Sequence, residues 1–174
     1  MKKVIVIIGS APNWIQDLNN LCMIVDDFSV MAIGMSCKYE GNVDYFATYH
    51  TKDLPVYRKK REQADLNTDY KIITHDDKVK DRIDTPQIII PYKPPSGSSA
   101  LLGTFAAIKL GYEKIILCGC PLEGVNAKKS SYQQFRKGWI HHTKDVIKYT
   151  RSMSGWTKEL LGSPDAEWFK ERIK

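Results

Sequence analysis

The sequence predicts an α/β domain built on a mostly parallel sheet with helices on both faces. Two observations carry that class. Val4-Ile5-Val6-Ile7-Ile8 and Ile115-Ile116-Leu117-Cys118 are apolar runs without polar alternation, the pattern of strands buried on both faces. Segments with apolar residues at helical spacing lie between such runs, and strand–helix alternation builds parallel sheets. No repeat, low-complexity tract or linker interrupts the chain, so residues 1–174 read as a single domain.

The elements follow in order. After the first strand, Gly9-Ser10-Ala11-Pro12 turns into a helix over 12–21, with Ile15, Leu18 and Leu21 at helical spacing and Pro12 in its first turn. Residues 30–35 and 43–50 supply two further apolar runs. Residues 53–63 form a basic surface helix with Pro55 near its start. Residues 70–74 and 87–90 are strands flanking a charged loop. Pro94-Pro95-Ser96-Gly97-Ser98-Ser99 precedes a small-residue helix over 100–110, apolar all round and therefore buried, with Gly111 as its stop. The sixth strand, 114–118, ends in Gly119-Cys120-Pro121. Residues 131–145 read as one helix, 146–151 as an edge strand, and 154–161 and 164–173 as two short helices, the second capped by Ser163.

Composition narrows the class further. With 43% apolar and 26% charged residues the chain is neither disordered, collagen-like nor a disulfide scaffold. No stretch approaches the ~20 apolar residues of a membrane span, and the first apolar run is too short for a signal peptide. The expectation is a soluble, unexported, cytoplasmic protein whose four cysteines are free thiols. Residues 1–124 carry 15 basic and 15 acidic side chains, whereas 125–174 carry 11 and 5. The whole excess of +6 thus sits in a basic, helical C-terminal segment. Such a segment suits an anionic ligand, and it equally suits a solvated helical surface.

Ligands of open parallel sheets bind beyond the carboxyl ends of the strands. Three segments therefore stand out. The Gly9–Pro12 turn can present backbone N–H groups to a phosphate, with Ser10 and Asn13 adding side-chain bonds. Gly97, Ser98 and Ser99 open a buried helix, whose N-terminus favours negative charge; Ser98 or Ser99 also serves as an N-cap. Gly119 permits close approach of a ligand to backbone. Lys93 lies near the second segment. Cys118-Gly119-Cys120 lacks a second pair or a well-spaced histidine, so no metal site is expected. His50 and His75 end strands; His141 and His142 lie on a late helix with Asp145 one turn on, an arrangement that can orient a general base.

Three segments together resemble a known superfamily: the strand ending in Gly9-Ser10-Ala11-Pro12; Asp44-Tyr45-Phe46-Ala47-Thr48-Tyr49-His50; and Gly97-Ser98-Ser99-Ala100 through Leu110-Gly111-Tyr112 to the strand ending in Gly119. They are similar to small Rossmann-like proteins. These include bacterial CMP-sialic-acid-using sialyltransferases of lipooligosaccharide synthesis and an uncharacterised family with pterin diphosphokinase-like members. The resemblance covers residues 3–120; residues 151–162 look like the tail of phage and prophage orphan proteins of the group.

The resemblance implies nucleotide contacts at Gly9, Ser10, Pro12, Ser98, Ser99 and Gly119, a catalytic histidine after the sixth strand (His141 or His142), and Tyr132 toward phosphate. The sialyltransferases carry Asn where this chain has Ser10 and Gly34, and both Asn side chains serve nucleotide recognition there. The expected function is a nucleotide- or nucleotide-sugar-binding, glycosyltransferase-like transferase, in a bacterium or phage-infected cell. Its donor is a substrate and no cofactor is required; the absence of Asp-x-Asp predicts no metal. The late segment is then expected to fold over the cleft, bringing Lys128, Lys129, Arg136 or Lys137 to ligand charge. Two alternatives stay open: a non-catalytic nucleotide- or partner-binding protein, and a nucleic-acid-binding accessory protein that stacks bases on Trp139, Trp156 and Trp168.

Overall fold

The computed structural model describes residues 3–75, 87–90, 97–124 and 130–171. The charged loop between the fourth and fifth strands, Lys93, the Pro94–Ser96 approach to the small-residue helix, and Lys128 and Lys129 lie outside the described residues. Seven strands form one sheet: β1 (Val4–Ile8), β2 (Ser29–Ile33), β3 (Tyr45–Ala47), β4 (Lys71–Thr74), β5 (Gln87–Ile89), β6 (Lys114–Cys118) and β7 (Thr150–Ser152). Every pairing is parallel. The order is β5-β4-β3-β2-β1-β6-β7. The chain therefore steps outward from β1 to β5, then crosses to the far side of β1 for β6. That reversal beside β1 is a topological switch point, the position where open α/β sheets hold ligands.

Seven helices accompany the strands among the described residues: α1 (Trp14–Cys22), α2 (Leu54–Gln63), α3 (Ser99–Lys109), α4 (Ser130–His141), α5 (Thr143–Val146), α6 (Gly155–Leu161) and α7 (Ala166–Lys170). They cover both faces. Ile5 and Ile7 point into one cluster with Leu101, Leu102, Trp139 and Leu161, from α3, α4 and α6. Val6 and Ile8 point into the other with Leu21, Leu54 and Trp168, from α1, α2 and α7. Side chains alternate across a strand, so a continuous apolar run is what a strand covered on both sides needs. This is a Rossmann-like α/β fold.

Several boundaries differ from the sequence reading. α1 begins at Trp14, with Asn13 as its N-cap, so Pro12 lies in the turn before the helix. The helix expected over 131–145 is two helices, α4 and α5, broken at His142. The edge strand comes later than expected, at Thr150–Ser152, because α5 takes up Val146. α7 starts at Ala166 with Asp165 as its cap; the Asp165 carboxylate accepts the Trp168 amide at 2.8 Å, the role expected of Ser163.

Two buried cations hold the periphery to the sheet. Arg61 is fully buried and donates to the carbonyls of Cys37, Tyr39, Gly41 and Asn67 and to Asn67 Oδ1, tying α2 to the segment after β2. The guanidinium is satisfied by neutral oxygens, which no other side chain's donor set could match. Lys114 donates to the Trp168 carbonyl, and its Nζ lies 4.4 Å from the Trp168 ring centre, while Arg151 covers the same indole at 5.0 Å. Burial lowers the pKa of Lys114 and of Arg151. α7 is thereby clamped against the sheet.

Candidate functional site

A cleft with a volume of about 730 Å³, open mouth included, lies at the carboxyl ends of β1 and β6. Three segments distant in sequence line it: Gly9 and Ser10 after β1, Gly97, Ser98 and Ser99 at the start of α3, and Gly119 after β6. Ile33 at the end of β2, Gly34 just after it and His50 after β3 complete the rim. Tyr132, Phe135 and Trp139 also line it, with Phe135 3.9 Å from the Cβ position of Gly97. Their spacing of three and four puts them on one face of α4. The rings of Tyr132 and Phe135 are 5.8 Å apart. The C-terminal segment thus supplies an aromatic wall to the cleft.

The local chemistry of the three turns differs in kind. Ser98 is buried and is the N-cap of α3: its Oγ accepts the Leu101 amide at 3.3 Å. Ser99 Oγ accepts the Tyr49 amide at 3.3 Å, fastening the start of α3 to the segment after β3. Both hydroxyls therefore shape the turn, and Ser99 and Ala100, which open this 11-residue helix, line the cleft.

Gly9 and Gly119 serve close packing. The Gly9 amide donates to the Cys118 carbonyl at 2.7 Å, and the Ala11 amide to the Gly119 carbonyl at 3.2 Å. A Cβ on Gly9 would fall 2.2 Å from the Gly119 carbonyl oxygen; one on Gly119, where φ is +65°, would fall 2.5 Å from Trp14 Cβ. The absent side chain at Gly119 makes room for α1, where the sequence reading assigned that room to a ligand.

Two of the expected binding residues stand apart from the others. Pro12 is exposed and does not line the cleft. Asn13 does not line it either: its Nδ2 donates to Ser154 Oγ at 2.6 Å and to Asp17 Oδ2 at 3.2 Å. The position that organises this corner is Asp17, which the sequence did not single out. It is buried, and its Oδ2 also accepts the Gly119 amide at 2.8 Å and the Ser154 hydroxyl at 2.7 Å. Its only sequence signal is an acid in the first turn of α1, one helical turn after Asn13.

The late histidines also fall elsewhere. Neither His141 nor His142 lines the cleft. His141 is exposed, and His142 is buried with its ring edge-to-face on Phe105 at 5.2 Å. The partner of Asp145 is His142, whose Nδ1 lies 3.0 Å from Asp145 Oδ2. The i,i+4 pairing expected for His141 needs an unbroken helix, and the break at His142 removes that register. The histidine at the cleft is His50. Of the expected basic contacts, Arg136 is engaged elsewhere: its Nε and one terminal nitrogen donate to the Leu122 carbonyl at 2.9 and 2.6 Å, and it covers the Trp156 ring at 4.9 Å. Leu122 lines the cleft with φ at +50°, a left-handed backbone that Arg136 holds in place. Trp139 and Trp168 are buried and Trp156 lies under Arg136, so none of the three offers an open stacking face for nucleic acid.

Among the described residues, no group of three or more His, Cys, Asp or Glu is placed to hold a metal ion. No helix among them is long and apolar enough to cross a membrane. The chain matches no family model, no curated protein and no solved structure.

Proposed function

We propose that the cleft binds a nucleotide or nucleotide-sugar and that the protein is a metal-independent transferase acting on it. The observation that carries this reading is the presence of two unlike linings in one cleft at the switch point. One is the N-terminus of α3 with Ser98 and Ser99; the other is the half-buried aromatic pair Tyr132 and Phe135, backed by the buried Trp139. A helix N-terminus favours phosphate, and aromatic side chains favour a base or sugar face. The resemblance of the three strand-end segments to nucleotide-sugar-using sialyltransferases points the same way.

In this reading the acceptor hydroxyl attacks the donor's sugar carbon while the carbon–oxygen bond to the phosphate breaks. The electron pair and negative charge leave with the phosphate, toward the α3 N-terminus. His50, the histidine at the rim, takes the hydroxyl proton. It replaces His141 and His142 in that role because they do not reach the cleft. The test is thermal unfolding against nucleotides and nucleotide-sugars, followed by turnover with whichever donor stabilises the fold. Stabilisation by phosphorylated ligands but not by nucleosides is expected. His50→Ala should lower turnover by roughly 10²–10⁴-fold with little change in donor affinity. Binding without turnover in the unaltered protein would make it a non-catalytic binder, and no stabilisation by any nucleotide would overturn the reading.

A further inference from the structure

Leu122 lines the cleft with its backbone in the left-handed region, at φ +50°. Glycine adopts that conformation freely and Asp or Asn tolerate it, but it strains a bulky L residue. The other described non-glycine residue with positive φ is Asp65, of the tolerant kind. Strain of this sort persists only where the surroundings enforce it, and here they do. Asp17 of α1 accepts the Gly119 amide at 2.8 Å, and Thr157 of α6 donates its hydroxyl to the Cys120 carbonyl at 2.8 Å. Arg136 of α4 donates twice to the Leu122 carbonyl, at 2.9 and 2.6 Å. Gly155, at the start of α6, lies so near that a Cβ there would fall 2.4 Å from Pro121 Cβ and 2.8 Å from Glu123 Cδ. Three helices thus fix the segment 119–123.

A glycine would make this turn without strain, so the leucine side chain is kept for what it touches. Packing is one part of that: Leu122 is half-buried against the core cluster that holds Leu101 and Trp139. The cleft is the other, because Leu122 keeps accessible surface there. Arg136 does not line the cleft; its guanidinium covers the Trp156 ring at 4.9 Å. It stands one helical turn after Tyr132 and next to Phe135 on α4. Its hold on the Leu122 carbonyl therefore seats Leu122 beside the helix whose two half-buried rings line the same cleft. No Asp or Glu lines it among the described residues. Leucine, tyrosine and phenylalanine in one lining suit a flat, uncharged part of a ligand, a heterocyclic ring above all.

We propose that Leu122 is a ligand-contacting, specificity-determining residue of the cleft, pressed against a flat apolar ring of the bound molecule. Arg136 is its positioning residue, holding the left-handed backbone that keeps the leucine there. That the ring is the base of a nucleotide rests on the function proposed above; the held contact itself does not.

The experiment is a titration of the full chain followed by NMR, reading the leucine methyl resonances and the ring resonances of Tyr132 and Phe135. The Leu122 methyls are assigned by their loss in Leu122→Met. The probes are the four ribonucleoside 5′-monophosphates and 5′-diphosphates, the unphosphorylated nucleosides, and inorganic phosphate. Movement of the Leu122 methyls with at least one nucleotide, and not with inorganic phosphate, is expected. Movement with a nucleoside as large as with its nucleotide supports the role of Leu122 and overturns the phosphorylated-donor reading. Movement of the two rings with Leu122 unmoved overturns the role of Leu122 and leaves the nucleotide reading standing. No movement with any probe overturns both. Leu122→Gly keeps the left-handed turn without the side chain, and its affinity for the responding probe should fall about tenfold. Unchanged affinity would overturn the contact. Arg136→Ala should weaken binding in the native chain, yet add nothing in the Leu122→Gly chain, where the contact it positions is already gone. Losses that multiply in the double variant would overturn the positioning role. Urea unfolding checks each fold; if Arg136→Ala does not fold, Arg136→Lys, which loses the two-pronged grip and keeps the charge, takes its place in the cycle.

Discussion

The Gly119 amide donates to Asp17 Oδ2 at 2.8 Å, joining the end of β6 to the first turn of α1 across 102 positions of sequence. The same oxygen accepts from Ser154 and Asn13, so one carboxylate gathers β6, α1 and the residue before α6 beside the cleft. Removing it leaves a buried amide and hydroxyl unpaired. Asp17→Ala should cost about 2–4 kcal/mol, the range for orphaned donors to a charged acceptor. Asp17→Asn keeps one acceptor oxygen and should cost about half as much. Urea unfolding midpoints at unchanged slope measure both; equal stability of Asp17→Ala and the unaltered protein would contradict the staple.

Gly119 cannot carry a side chain. Its φ of +65° disfavours any L residue, and a Cβ would sit 2.5 Å from Trp14 Cβ and 3.1 Å from the Gly9 carbonyl oxygen. Backbone cannot yield as a flexible side chain does. Gly119→Ala should therefore destabilise by about 3–5 kcal/mol, combining left-handed strain with overpacking. Its unfolding curve should shift far more than that of an alanine placed at an exposed loop position.

Gly34 makes the complementary case. Its φ is +57°, yet nothing lies within 4 Å of a Cβ built there. Gly34→Ala should cost only the conformational strain, about 1–2 kcal/mol. Gly34→Asn should cost less, since asparagine tolerates left-handed backbone. A thermal unfolding series with the order Gly, Asn, Ala from most to least stable is the expected outcome. A reversed order of Asn and Ala would show that the open side of Gly34 does not accept a polar group.

What could be read in the sequence follows from how far each signal reaches. β1 and β6 were legible because burial on both faces leaves no polar residue in a run, a purely local pattern. The strand-end turns were legible because parallel topology forces such turns to one end of the sheet. The role of Asp17 was not, because its partners Gly119 and Ser154 are distant in sequence and an acid in a first turn is ordinary. His142 was misjudged for a related reason: the helix break that pairs it with Asp145 has no Gly or Pro to announce it. Arg61 looked like one more base on a polar helix, and only the carbonyls that surround it make it a core residue.

The cysteines give the fold a pH dependence with a definite sign. Cys22 is exposed, while Cys37, Cys118 and Cys120 are buried. Burial raises the Cys37 thiol despite nearby Lys60 and Arg61, raises Cys118 well above its ordinary value, and pushes Cys120 up to about 12; the Asp17 charge adds to the last two. An unfolded thiol ionises near ~8.5. Below that pH both states hold these protons and the buried thiols lose nothing. As pH rises toward 12 the unfolded chain releases protons that the folded chain keeps, so unfolding becomes more favourable. The urea midpoint should therefore fall between about pH 8.5 and 11. Burial of Lys114 acts in the opposite direction over part of this window, so the cysteine share is isolated by comparing slopes. Cys120→Ala should flatten the fall of stability with pH, whatever it does to stability at pH 7. In the native protein at pH 8 a thiol reagent should modify one of the four cysteines quickly, Cys22, and reach the others only on unfolding. Rapid modification of Cys120 in the folded chain, or an unchanged slope in Cys120→Ala, would show that the base of the cleft is open to solvent and that this thiol does not resist ionisation.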